Sequence, residues 1–114
     1  MANLLEETKK ILEEKGLSIN DIKWVGTRKY RIGTEDFLTL ANVFYDDGYG
    51  APEVATDLIV VGEYWWLERH EYDGAEWWEF KTLPPMPEKE IKVRTLIGGM
   101  WDTLEEINKG EDNG

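Results

Sequence analysis

The stretch WWLERHEYDGAEWWEFKT, running from Trp65 through Asp73-Gly74 to Thr82, decides the fold. Two runs rich in aromatic residues flank Asp73-Gly74, a dipeptide that tolerates the positive φ angles of a two-residue hairpin turn. Such a turn sets Tyr72 opposite Ala75, Glu68 opposite Glu79 and Trp66 opposite Lys81. Side chains alternate across a strand, so Trp65, Leu67, Arg69, Trp78, Phe80 and Thr82 share one face, which reads as core. Trp66, Glu68, His70, Tyr72, Trp77, Glu79 and Lys81 share the other. A solvated sheet face that needs only solubility has no use for Trp66 and Trp77, so this face, with Glu76, is read as a protein-binding surface. The same pairing opposes Glu68 to Glu79 and Glu71 to Glu76, and like charges across a ladder are destabilising. Either a bulge shifts the register or a cationic partner relieves the repulsion. A three-residue loop would instead set Arg69 opposite Glu79, and helices covering both faces would account for the aromatic residues without any partner.

Outward from the hairpin, LIVV (58–61) reads as a buried strand, and IKWV with KYRI around Gly26, Thr27 and Arg28 reads as a second hairpin. Residues 3–15 place Leu4, Leu5, Thr8, Ile11 and Leu12 at helical spacing, with Asn3 as N-cap and Gly16 just past the end. Thr34 is read as the cap of a short helix through Phe37 and Leu40, and YDDGYGAP (45–52) as a loop. Pro84, Pro85 and Pro87 stop the hairpin. Pro87 suits the first turn of a helix over 88–97, although Ile91, Val93 and Thr95 leave strand open there. A last amphipathic helix passes through Trp101, Leu104 and Ile107, and the tail 109–114 is expected to fray. The expectation is a single α+β domain spanning 1–114, with a mainly antiparallel sheet and helices packed at the N- and C-termini.

Thirteen Lys and Arg against 24 Asp and Glu leave a net charge of −11. That charge opposes direct binding to nucleic acid or to an anionic membrane and favours a basic protein partner. Twelve of the carboxylates lie between Ile32 and Phe80, where Arg69 is the one base. With no Cys there is no disulfide framework, and the first residues lack a signal-like apolar run, so a cytoplasmic protein is expected. Against the acidic tract stands a basic island. Trp24, Arg28, Lys29, Tyr30 and Arg31 combine cations with stacking surfaces and form an alternative ligand-binding site for a phosphate-bearing small molecule. An internal counter-charge for the acidic tract accounts for the island without any ligand. His70 has no second His at metal-binding spacing, and Asp46, Asp47, Gly48 and Glu53 do not match the calcium-loop ladder. No catalytic residue, metal or cofactor is assigned, and an enzyme working through carboxylates and His70 is disfavoured because nothing sets a nucleophile beside a base.

The segment WWLERHEYDGAEWWEFKTLP, preceded by YDDGYGAPEVATDLIVVG, resembles short proteins encoded by phages and prophages of low-GC Gram-positive bacteria. The resemblance covers about residues 45–84 and carries no enzymatic motif. It implies a setting, since small acidic phage proteins include anti-CRISPR inhibitors, anti-restriction DNA mimics and sponges for nucleotide signals. The expected function is therefore a non-enzymatic inhibitor that occupies a basic surface of a host defence protein. The alternative is an oligomeric sponge that holds a nucleotide through Arg28, Lys29 and Arg31.

Overall fold

A computed structural model describes residues 1–48 and 50–109. The chain forms two compact units, Met1–Pro84 and Pro85–Gly114, divided at the prolines that end the second hairpin.

The first unit carries the α+β architecture. Strand β1 (Ala2–Asn3) leads directly into helix α1 (Leu4–Glu14), where the Asn3 side chain accepts a hydrogen bond from the Glu6 N–H as N-cap. Gly16, at φ +74°, turns the chain out of the helix. Strands β2 (Trp24–Gly26) and β3 (Arg31–Ile32) form the first hairpin, and helix α2 (Thr34–Leu40) follows. Its N-cap is Gly33, and Thr34 lies inside the first turn, so Thr34 is not the cap that the sequence suggested. Strand β4 (Phe44–Tyr45) pairs antiparallel with β1. Strands β5 (Ile59–Val61), β6 (Trp65–Tyr72) and β7 (Ala75–Thr82) complete a five-stranded antiparallel sheet in the order β3-β2-β5-β6-β7.

Asp73 (φ 49°) and Gly74 (φ 88°) form the turn, and the ladder takes the two-residue register: Glu68 faces Glu79, Glu71 faces Glu76 and His70 faces Trp77. No bulge interrupts it. The row Val25, Val60, Leu67 and Phe80 runs across the strands on the inner side, where α1 packs through Leu4, Thr8 and Leu12. Trp65 stacks on Phe80 with ring centroids 5.8 Å apart. The buried Trp78 indole donates to the Thr8 hydroxyl at 2.9 Å, which satisfies its one polar atom and ties the sheet to the helix.

In the second unit, residues 88–97 form neither the helix nor the strand considered for them. Helix α3 is short, Leu104–Asn108, with Thr103 and Glu106 in a reciprocal capping box. Trp101 stands outside it at φ +70°, so the last helix starts later than the apolar spacing predicted. Asn108 fastens this helix to the preceding segment, its side chain accepting from the Arg94 and Thr95 N–H groups and donating to the Thr95 carbonyl. Residues 110–114, most of the tail expected to fray, lie outside the described residues. Among the described residues no helix is long and apolar enough to cross a membrane.

Candidate functional site

The outer side of the sheet gathers what the alternation predicts. Trp24, Val61, Trp66 and Lys81 form one row across four strands, and Gly26, Ile59, Glu68 and Glu79 form the next. His70 and Trp77 pair beyond them, with Tyr72 at the tip. Each tryptophan beside a carboxylate is tied to it: the Trp66 indole N–H donates to Glu68 Oε1 at 2.7 Å and the Trp77 indole N–H to Glu79 Oε2 at 2.9 Å. His70 Nε2 lies 2.8 Å from the other Glu68 oxygen. The Trp66 bond first, and then His70, hold the Glu68 carboxyl below its ordinary pKa. Glu68 and Glu79 thus face each other as carboxylates, each steadied by its own strand's indole. Trp77 is 37% exposed and Tyr72 75%, so the aromatic end of this face meets solvent.

Glu76 does not belong to that face. Its position in the ladder puts it on the side of Arg69 and Trp78, and it is 5% exposed. One carboxylate oxygen accepts from Arg69 Nη2 at 2.8 Å and from the Val54 N–H, while the other accepts from the Glu53 N–H at 2.7 Å. Arg69 Nη2 also donates to the Tyr45 hydroxyl at 3.1 Å, Nη1 reaches Glu7 at 3.4 Å, and the guanidinium lies 4.8 Å from the Trp78 ring centre. The Tyr45 hydroxyl donates in turn to Glu7. Burial opposes the Arg69 charge, but the hydrogen bonds to Tyr45 and Glu76 and the charge of Glu7 outweigh it and raise its pKa further. Burial, reinforced by the bond to Glu7, pushes the Tyr45 phenol well above its usual value. This is a structural network that fastens the far end of the hairpin to α1 and to the loop over 46–58.

The basic island splits. Arg28, Lys29 and Tyr30, in the β2–β3 loop, line an open cleft of about 440 Å³ with Thr27, Thr56, Asp57, Ile59, Glu68 and Arg69. Trp24 and Arg31 do not line it; Trp24 lies in β2 opposite Val61, and Arg31 in β3 opposite Gly26. Asp57 and Glu68 add acceptors to the lining of the same cleft, a juxtaposition that sequence distance concealed. In the loop over 45–52, Asp46 accepts from the Gly48 N–H and Glu53 from the Asp46 N–H, so these acids serve as turn braces.

Sequence reasoning missed the group around Arg69, namely Glu7, Tyr45 and Glu76. The signal for Glu76 was present in the ladder, because the residue opposite Glu71 must share the face of Arg69, and a buried guanidinium requires a carboxylate. Glu7 and Tyr45 carried no such mark, since their approach depends on packing between elements distant along the chain. No family model, curated protein or solved structure matches this chain.

Proposed function

We propose that the protein is a non-enzymatic binding module that docks the outer face of the β6–β7 hairpin, through Trp66, Glu68, His70, Tyr72, Trp77 and Glu79, on a basic protein surface. One observation carries the reading. Indoles and carboxylates alternate on a single face, each carboxylate is held in place by an N–H donor, and Glu68 and Glu79 stand opposite each other in the ladder. A cation brought to this pair can take both carboxylates as partners, and an Arg side chain can stack on the exposed Trp77 ring at the same time. The net charge of −11 steers such a partner inward. The resemblance of residues 45–84 to phage and prophage proteins supplies a setting, the bacterial cytoplasm, and a target class, a host defence protein whose basic channel binds nucleic acid.

Affinity capture from a host lysate across a salt series tests this. The reading expects a basic protein that is retained at low salt, lost as salt rises, displaced by duplex DNA, and lost to Trp77→Ala or Glu68→Lys. Retention that ignores salt and both substitutions refutes it. The cleft beside Arg28, Lys29 and Tyr30 favours a second reading, sequestration of a phosphorylated nucleotide: cations for phosphate, Tyr30 for stacking, Asp57 and Glu68 as acceptors for amino groups. Loss of function in Arg28→Ala with full function in Trp77→Ala would move the assignment to that cleft.

A further inference from the structure

Strand β7 is the edge of the five-stranded sheet, eight residues long and free of bulges. Its exposed hydrogen-bonding positions follow from the ladder. The two-residue turn makes Tyr72 and Ala75 a hydrogen-bonded pair, and the Leu83 N–H donates to the Tyr64 carbonyl at 3.0 Å in the same phase, so alternate residues of β7 bond inward to β6. Glu76, Trp78, Phe80 and Thr82 therefore direct their backbone groups outward. The Glu76 N–H is taken by the Asp47 carbonyl at 3.2 Å. Among the described residues no backbone hydrogen bond reaches Trp78, Phe80 or Thr82 from outside the sheet. An open groove of about 210 Å³, lined by Glu7, Lys10, Ile11, Glu14, Trp77 and Trp78, runs between α1 and this edge.

We propose that the β7 edge is a homodimer interface, in which a second copy of this chain adds its own β7 antiparallel about Phe80 and joins the two sheets into one. The occupant is argued from self-complementarity. With Phe80 opposite its symmetry mate, Trp78 meets Thr82 of the other copy and the three outward residues match in full. Glu79 then stands beside Lys81 of the other copy, twice by symmetry, and the exposed Trp77 beside the exposed Leu83. Charge disfavours the adjacent registers: centring on Glu79 opposes two carboxylates, and centring on Lys81 opposes two ammonium groups. The ladder also ends at matching positions. In this register Glu76, whose N–H is already bonded, faces Pro84, which has none. The dimer engages the edge of the outer face at Trp77 and Glu79 and leaves Trp66, Glu68, His70 and Tyr72 uncovered, and it is read from the oligomeric state rather than from partner capture.

Sedimentation velocity of the full chain over a concentration series tests it, with the wild type expected as a dimer. Thr82→Pro removes an outward N–H that β6 does not use, and is expected to give a monomer with an unchanged circular dichroism spectrum. Lys81→Glu sets like charges together and is expected to weaken the dimer by about tenfold or more, with Glu79→Lys in the same chain restoring it. The charge-reversal pair keeps the proposal falsifiable should Thr82→Pro fail to fold. A wild type that stays monomeric, with the edge binding an extended peptide from another protein, overturns it. So does a dimer that survives both Thr82→Pro and Lys81→Glu.

Discussion

On the inner face of the β6–β7 hairpin, Arg69 and Glu76 are both about 3% exposed at their side chains and bonded 2.8 Å apart. On the outer face of the same two strands, Glu68 and Glu79 rest on indole N–H groups at the water's edge, with the partly exposed His70 beside Glu68. The inner charges are committed. Water has been removed from them, every carboxylate oxygen of Glu76 is bonded, and losing one partner strands the other in a low-dielectric interior. The outer charges are uncommitted, positioned by their neighbours yet open to an incoming cation. Residues of one type, a few ångströms apart, are thus divided by the pleat of the sheet into structure and binding.

The largest effects should come from the inner face. Glu76→Ala is expected to cost about 3–5 kcal/mol of stability in urea unfolding, since it removes the nearest counter-charge of the buried Arg69, leaving only Glu7 at 3.4 Å, and orphans the Glu53 and Val54 N–H groups. A loss within about 0.5 kcal/mol would show that the pair is solvated. Trp78→Ala should cost a comparable amount, about 3–5 kcal/mol, through the cavity it leaves and the lost hydrogen bond to the Thr8 hydroxyl. Trp77→Ala, one residue along, should cost about 1 kcal/mol or less while abolishing partner binding. Equal losses in the two tryptophan variants would erase the distinction between the faces. The smallest effect is titration. The Glu68 pKa is lowered in the folded chain by Trp66 and His70, so its contribution is fully present above the ordinary carboxylate value of 4.5 and fades as pH falls through the lowered one. Trp66→Phe removes the leading cause. Its stability deficit against the wild type should therefore narrow below pH 4.5, and a deficit constant through that range would assign the Trp66 contribution to packing instead.

The hairpin and its faces were legible because their determinants are local. Asp73-Gly74 selects the turn, the turn fixes the register, and the register assigns every side chain between Trp65 and Thr82 to a side. The same logic placed α1 between Asn3 and Gly16. Glu76 was assigned to the wrong face because it was grouped by charge where the alternation already contradicted that grouping. The cleft beside Arg28 was half visible: the cations form a sequence cluster, but Asp57 and Glu68 join them only through the order β3-β2-β5-β6, which no local pattern encodes. Residues 88–97 misled because proline chemistry and β-branched periodicity are weak where no regular ladder or helix forms to enforce them.

The β1–β4 pairing has a kinetic consequence. Ala2 meets Tyr45 and Asn3 meets Phe44, with the Leu4 and Leu5 N–H groups bonded to the Val43 and Ala41 carbonyls, so the start of the chain closes a loop of some forty residues. The β5–β6–β7 meander closes only short turns, and Arg69 finds Glu76 within it. Loop-closure entropy orders these events, the meander first and the N-terminal strap later. Substitutions at the meander should therefore slow refolding, whereas those at Glu7 or Ala2 should chiefly speed unfolding. The guanidinium of Arg69 then acquires its partners in sequence: the Glu76 charge as the hairpin zips, the Glu7 charge and the neutral Tyr45 hydroxyl only when the strap closes over it.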